Sequence, residues 1–143
     1  MATLDQLFIE INKVSYDEKV YRGRKLFQGM IQIIEKHRYG YFFVSSEEVA
    51  FRYYTLFCGA DRKVSYDELY FCNTISGRNL SYDYFFNEAR ENHHPEMVAD
   101  YKMFMKKLTS AEIGYFQTLA AIVFTLKSNP TSDERYFLLN FFS

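Results

Sequence analysis

Apolar side chains recur three and four positions apart along most of the chain, which is the spacing of one face of an α-helix. Clear examples are the stretches 49–57 and 113–124. Alternation with a period of two, typical of a half-buried strand, occurs only at 39–44 (Y-G-Y-F-F-V), and a lone strand would have no partner. The pattern predicts an all-helical protein in which 39–44 connects two helices and folds its rings onto them.

Polar residues mark where these helices begin. In the motif Ser/Thr-x-x-Glu, the hydroxyl accepts from the amide three residues on, and the carboxylate reaches back to the first amide. Because each copy here precedes apolar residues at helical spacing, the motifs predict five helix starts. The copies are Ser15–Glu18, Ser45–Glu48, Ser65–Glu68, Thr109–Glu112 and Thr131–Glu134.

Other residues predict the remaining helix ends. Ser81 is placed to cap a short helix, Pro95 suits the first position of another, and residues 4–11 form a further short helix. Gly77 is a candidate for the left-handed residue that ends the helix after Ser65. The stretch after Thr109 is apolar on several sides, so we expect that helix to be the most buried.

Composition narrows the class of protein. At 143 residues we expect one helical domain over 1–143, folded as a compact bundle. A net charge of −1 argues against a nucleic-acid partner, and the longest apolar stretch, 119–124, is far short of the ~20 residues of a membrane span. Two cysteines without an export signal indicate reduced thiols in the cytoplasm. The 15 Phe and 13 Tyr are expected to fill the core and edge the surface.

The chain repeats itself. V-S-Y-D-E occurs at 14–18 and again at 64–68, and a longer similarity joins 53–71 to 119–137, 66 positions on. Each of the longer segments reads as an apolar helix, a short polar turn, a capping motif and a second helix. We therefore predict a duplicated helical hairpin.

The first hairpin resembles the tellurite-resistance TerB-like family, whose hallmark is an apolar helix ending in A-D-G-x-[VI]-S-x-x-E, with a related copy near the C-terminus. Here 60–68 reads A-D-R-K-V-S-Y-D-E, so Arg62 replaces the glycine. The second copy keeps only Thr131 and Glu134, and Lys127 stands where the aspartate would be. The resemblance covers about 45–143. It implies an all-helical fold of about seven helices, an acidic cluster for a divalent metal, and no defined biochemical role.

The acidic cluster would consist of Asp61, Asp67 and Glu68, with Asp133 and Glu134 as further candidates. Hard cations require several oxygen atoms converging on one point, and one of these carboxylates is already used as a helix cap. Asp61 has an alternative role as a turn residue that bonds its own backbone. Metal binding and a purely structural role both remain open at this point.

No motif in the sequence indicates catalysis: there is no G-x-S-x-G, no phosphate-binding glycine loop and no C-x-x-C. The first hypothesis is therefore a non-enzymatic module that binds another protein, through exposed rings of Tyr39–Phe43 or of Phe141 and Phe142. The alternative is a divalent-metal-binding protein, and no other cofactor is expected. His93-His94-Pro95 offers too few ligands for zinc and is expected to be a solvated turn, with His94 near a helix start. The sequence does not define the oligomeric state.

Overall fold

The computed structural model describes residues 4–40, 42–60, 63–126 and 130–143. These residues form eight α-helices and no strand, so the all-helical prediction is confirmed. Eight is one more than the number that the family resemblance implies. The helices are α1 Leu4–Asn12, α2 Tyr16–His37, α3 Ser46–Cys58, α4 Tyr66–Ser76, α5 Tyr82–Asn92, α6 Pro95–Met105, α7 Ser110–Phe124 and α8 Ser132–Phe141.

All five predicted capping motifs begin a helix, and in each the hydroxyl accepts from the amide of the glutamate three residues on. The reciprocal bond, in which the N-cap amide donates to the glutamate carboxylate, forms at α4, α7 and α8. At α2, Glu18 pairs instead with Arg22 at 3.0 Å, and at α3, Glu48 pairs with Arg78 at 3.2 Å. The hydroxyl bond is therefore common to all five helix starts, whereas the glutamate pairs with the N-cap amide in three of them and with an arginine in two.

The remaining predicted helix ends are also confirmed. Ser81 caps α5, and Pro95 is the first residue of α6 behind the N-cap His94. Gly77 ends α4 in the left-handed conformation, with a φ of 73° that disfavours any residue with a side chain. The segment 38–45, described except for residue 41, connects α2 to α3 without regular structure, as expected.

The centre of the bundle is α3. Ten of its thirteen residues are buried, against seven of fifteen in α7, so the expectation that α7 is the most buried helix is wrong. Both helices pack against three others, α3 against α2, α5 and α7, and α7 against α1, α2 and α3. The difference is that residues 110–115, the first turns of α7, are exposed or only half-buried, Tyr115 among them. Apolar residues on every side of a helix do not reveal how much of each turn its neighbours cover.

Aromatic rings fill the core, as the composition predicts. The ring of Tyr53 in α3 lies 4.9 Å from that of Tyr101 and 5.0 Å from that of Phe116, measured between centroids. Its hydroxyl donates to the Tyr101 carbonyl at 2.8 Å, so the buried polar atom is satisfied. The Tyr54 hydroxyl likewise donates to the Glu68 carbonyl at 2.6 Å, which ties α3 to the start of α4.

The two predicted hairpins, α3–α4 and α7–α8, have matching boundaries. The first helix of each pair ends at Cys58 or Phe124, and the second begins at Tyr66 or Ser132, so both boundaries repeat at a spacing of 66. The connecting segments are 59–65 and 125–131. No helix in the described parts of the chain is both long enough and apolar enough to cross a bilayer.

Candidate functional site

The predicted acidic cluster is only partly described. Asp61 lies outside the described residues, and Asp67 is exposed in the first turn of α4. Glu68 is buried, and its Oε1 accepts from the Ser65 amide at 2.8 Å. Its backbone carbonyl accepts from the Tyr54 hydroxyl of α3 at 2.6 Å. Glu68 therefore acts first as a helix cap and as a link between the two helices of the hairpin.

The second hairpin repeats this arrangement. Glu134 is buried and accepts from the Thr131 amide at 2.8 Å, while Asp133 is exposed. Asp133 and Ala60 line one open cleft of about 530 Å³, together with side chains of α8. The structure thus brings the turn of the first hairpin next to the start of the last helix. Over the described ranges, no group of three or more His, Cys, Asp or Glu side chains is arranged to hold a metal ion.

The two cysteines are buried and carry no disulfide. Burial, and next the nearby Glu68 carboxylate, raise the pKa of the Cys58 thiol well above its usual value. Burial raises the pKa of the Cys72 thiol to about 12. Nucleophilic cysteines have a lowered pKa and access to solvent, so these thiols act as small apolar core groups.

A cavity opens between the end of α3 and the outer face of α5. Its volume is about 350 Å³, within the range of ligand pockets. We call it the α5 cavity and define it by its lining residues: Gly59, Val64, Phe86, Ala89, Arg90 and His93. Four of these six residues are apolar, and the polar groups come from the last turn of α5 and the residue that follows it.

His93 forms one wall of the α5 cavity and is held in place from three sides. Its Nε2–H donates to the Leu56 carbonyl near the end of α3, and its ring lies 5.4 Å from that of Phe137 in α8. On the third side is Gly59, where a Cβ atom would come within 2.6 Å of the imidazole. The expectation of a solvated turn is therefore wrong for His93, although His94 caps α6 as expected.

A second polar contact fixes the end of α5 on α3. The buried Asn92 side chain donates to the hydroxyl of the buried Thr55, and that hydroxyl donates to the Arg52 carbonyl at 2.9 Å. Because Asn92 and His93 both bond to the last turns of α3, the cavity wall is built on rigid helices. No local sequence pattern predicts these contacts, since the bonded residues are 37 positions apart.

Exposed rings continue the surface of the α5 cavity onto α4. Tyr66 stacks on Tyr82 with centroids 4.5 Å apart, and Tyr82 stacks on Phe86 with centroids 6.1 Å apart. We call these three rings the aromatic row. Tyr66 is 59% exposed and Phe86 38%, whereas Tyr82 is half-buried and donates from its hydroxyl to the Val64 carbonyl at 2.9 Å. Tyr70, 61% exposed, lies beside Tyr66 with ring centroids 6.5 Å apart.

Of the rings that the sequence predicted to form an exposed contact surface, some are exposed and others are buried. Tyr39 and Phe43 are fully exposed in the segment between α2 and α3, whereas Phe42 packs against Phe104 with centroids 5.0 Å apart. Phe141 is buried, so its predicted exposure is wrong, and Phe142 is half-buried against Phe57. Both C-terminal rings belong to the core because α8 folds back onto α3.

Two other titratable groups have structural roles. Glu112 caps α7 and accepts from His37 at 3.0 Å, beside a groove of about 280 Å³ between α2 and α7. Lys19 is buried in α2 and donates to the Thr125 carbonyl at the end of α7 at 2.9 Å, and burial lowers its pKa. Each group satisfies backbone atoms at an end of α7.

No family model matches this chain, and neither does any curated protein or any solved structure. The resemblance of 60–68 to the TerB-like hairpin therefore stays a prediction. Function is therefore inferred from the surface residues of this chain and not from relatives.

Proposed function

We propose that this protein is a non-enzymatic helical module that binds another protein through the α5 cavity and the aromatic row. The observation that carries the proposal is the continuity of the two features: Phe86 both ends the row and lines the cavity. Aromatic residues and arginine are enriched in protein interfaces, and binding energy concentrates where a side chain of the partner fills a pocket.

The rigidity of the site supports this proposal. The cavity walls belong to α3 and α5, and the side chains of Asn92 and His93 join these helices by hydrogen bonds. A pocket on rigid helices loses little conformational entropy when it is filled, so more of the contact energy appears as affinity. The buried thiols, with their raised pKa values, support a role without covalent chemistry.

Two further parts of the proposal come from the sequence. We infer that the protein acts in the cytoplasm, where its two thiols would stay reduced. We also infer a relationship to TerB-like proteins of tellurite resistance, and the matched boundaries of the two hairpins support a duplication of the kind found in that family.

The experiment is quantitative affinity capture from the source cell with three baits: the wild type, Phe86→Ser and Tyr136→Ser. Tyr136 is the matched control because it is an exposed ring on α8, outside the aromatic row. We expect a partner that the wild type and Tyr136→Ser capture equally and that Phe86→Ser loses. The purified partner should then form a complex with the wild type and bind Phe86→Ser at least tenfold more weakly. Equal capture by all three baits would reject the proposed surface.

A further inference from the structure

Among the described residues that line the α5 cavity, Arg90 carries a fixed charge, on its guanidinium. Its Nη2 donates to the Asn87 side chain at 3.3 Å, and its central carbon lies 6.0 Å from the Phe86 ring. Arg90 forms no ion pair within the described parts of the chain, in contrast to Arg22, Arg78 and Arg135. A guanidinium beside an apolar pocket is suited to bind a carboxylate.

The side chains that line the cavity also favour a negatively charged ligand. Besides Arg90, the only polar side chain that lines the cavity in the described residues is the imidazole of His93, which acts as a donor. No carboxylate of the described residues lines the cavity, so the charge that these residues place there is the positive charge of Arg90. Gly59, Val64 and Ala89 leave the interior apolar, which suits a hydrocarbon side chain.

The aromatic row indicates the shape of the ligand. It extends past the cavity by ring spacings of 6.1 Å and 4.5 Å, a distance that roughly three residues of extended chain would cover at about 3.3 Å each. A small molecule that filled the cavity would leave Tyr82 and Tyr66 uncovered. A peptide segment would contact both features at once.

We propose that the ligand of this site is an extended acidic peptide segment of the partner. One of its large apolar side chains fills the α5 cavity, a neighbouring Asp or Glu pairs with Arg90, and the adjoining residues lie along the aromatic row. This inference depends on the proposed function, because it specifies the chemistry of the partner at the same surface.

The experiment is selection from a displayed library of random peptides on the immobilised full-length chain, followed by affinity measurements on the peptides selected. We expect enrichment of an apolar residue with Asp or Glu within two positions. Arg90→Glu should weaken binding of such a peptide about tenfold and favour its counterpart carrying Lys in place of the acid. Lys25→Glu is the matched charge reversal, on an exposed part of α2, and should change affinity less than twofold.

Phe86→Ser separates failure of the inference from failure of the proposed function. If Phe86→Ser abolishes binding while Arg90→Glu has no effect and no acid is enriched, the surface binds peptides but the acidic segment is rejected. If the selected peptides bind Phe86→Ser as well as the wild type, the proposed surface is itself rejected. A third outcome would also overturn the inference: no peptide is selected, but the chain binds phenylacetate and Phe86→Ser abolishes that binding. The ligand would then be a small carboxylate.

Discussion

At the scale of single residues, the capping hydroxyls at helix starts are the features that the sequence predicts best. Each acts on an amide three residues away, so the whole interaction is visible in a short stretch of sequence. His93 and Arg90 are the opposite case. Their roles depend on which helices pack together, and no local pattern distinguishes them from other polar residues of a turn or a helix end.

The cap of α4 gives the first prediction. Ser65→Ala removes the acceptor for the Glu68 amide and should lower the free energy of unfolding by about 1 kcal/mol, measured by urea denaturation. Ser143→Ala is the control because its hydroxyl bonds only the exposed Asn140 carbonyl, and it should change stability by less than about 0.5 kcal/mol. Equal stabilities of Ser65→Ala and the wild type would contradict the assigned helix start.

The buried thiols predict a loss of stability in alkali. Cys58 and Cys72 keep their protons in the folded state because burial raises their pKa, whereas unfolded thiols ionise near a pKa of about 8.5. The unfolded chain therefore binds fewer protons as the pH rises, and the free energy of unfolding falls above that pH. Tyr53 and Tyr54 act in the same direction above about pH 10, and Lys19, with its lowered pKa, in the opposite one.

Urea denaturation at about pH 7.5 and about pH 9.5 measures this effect. The wild type should be less stable at the higher pH, and the double variant Cys58→Ala, Cys72→Ala should lose less stability between the two. A double variant that loses as much stability as the wild type over this interval would show that the thiols ionise in the folded state.

At the scale of helices, the sequence predicted every start but not which helix is central. Periodicity shows that one face of a helix is apolar, but it does not show which helices cover that face. For this reason the sequence predicts α7 as the most buried helix, whereas the structure has α3 in that position. The two matching hairpins were predictable because their similarity preserves spacing, and the helix boundaries repeat 66 residues apart. The α5 cavity was not predictable, since α5 meets the end of α3 through contacts 37 positions apart.

The junction of α3 and α5 gives a prediction at this scale. In Gly59→Ala, the new Cβ would lie 2.6 Å and 2.9 Å from two imidazole atoms of His93, so His93 must leave the Leu56 carbonyl. We expect a loss of about 1–3 kcal/mol in the free energy of unfolding.

Gly114→Ala is the control, because no atom lies within 4 Å of the added Cβ and the position is inside α7. It should raise stability by about 0.5–1 kcal/mol through helix propensity alone. A Gly59→Ala variant as stable as the wild type would mean that His93 is not fixed at this junction.

At the scale of the whole molecule, the metal-binding alternative makes a distinct prediction. Because Glu68 is occupied by the Ser65 amide and Asp67 is exposed, we expect no thermal shift with Ca²⁺, Mg²⁺, Mn²⁺ or Zn²⁺ that Asp61→Ala abolishes. A cation-dependent rise in the melting temperature that is lost in Asp61→Ala would instead establish the acidic cluster as a metal site.

The central claim is that the α5 cavity and the aromatic row form the binding surface, and amide chemical-shift mapping tests it most directly. The isotope-labelled chain would be titrated with the partner, or with a selected acidic peptide, and followed by NMR. We predict that the largest shifts fall on Val64, Phe86, Ala89 and Arg90, while Gly29 and Ala111 in the groove between α2 and α7 stay unchanged. Shifts centred on that groove or on Tyr39 and Phe43, with the α5 residues unmoved, would contradict the account.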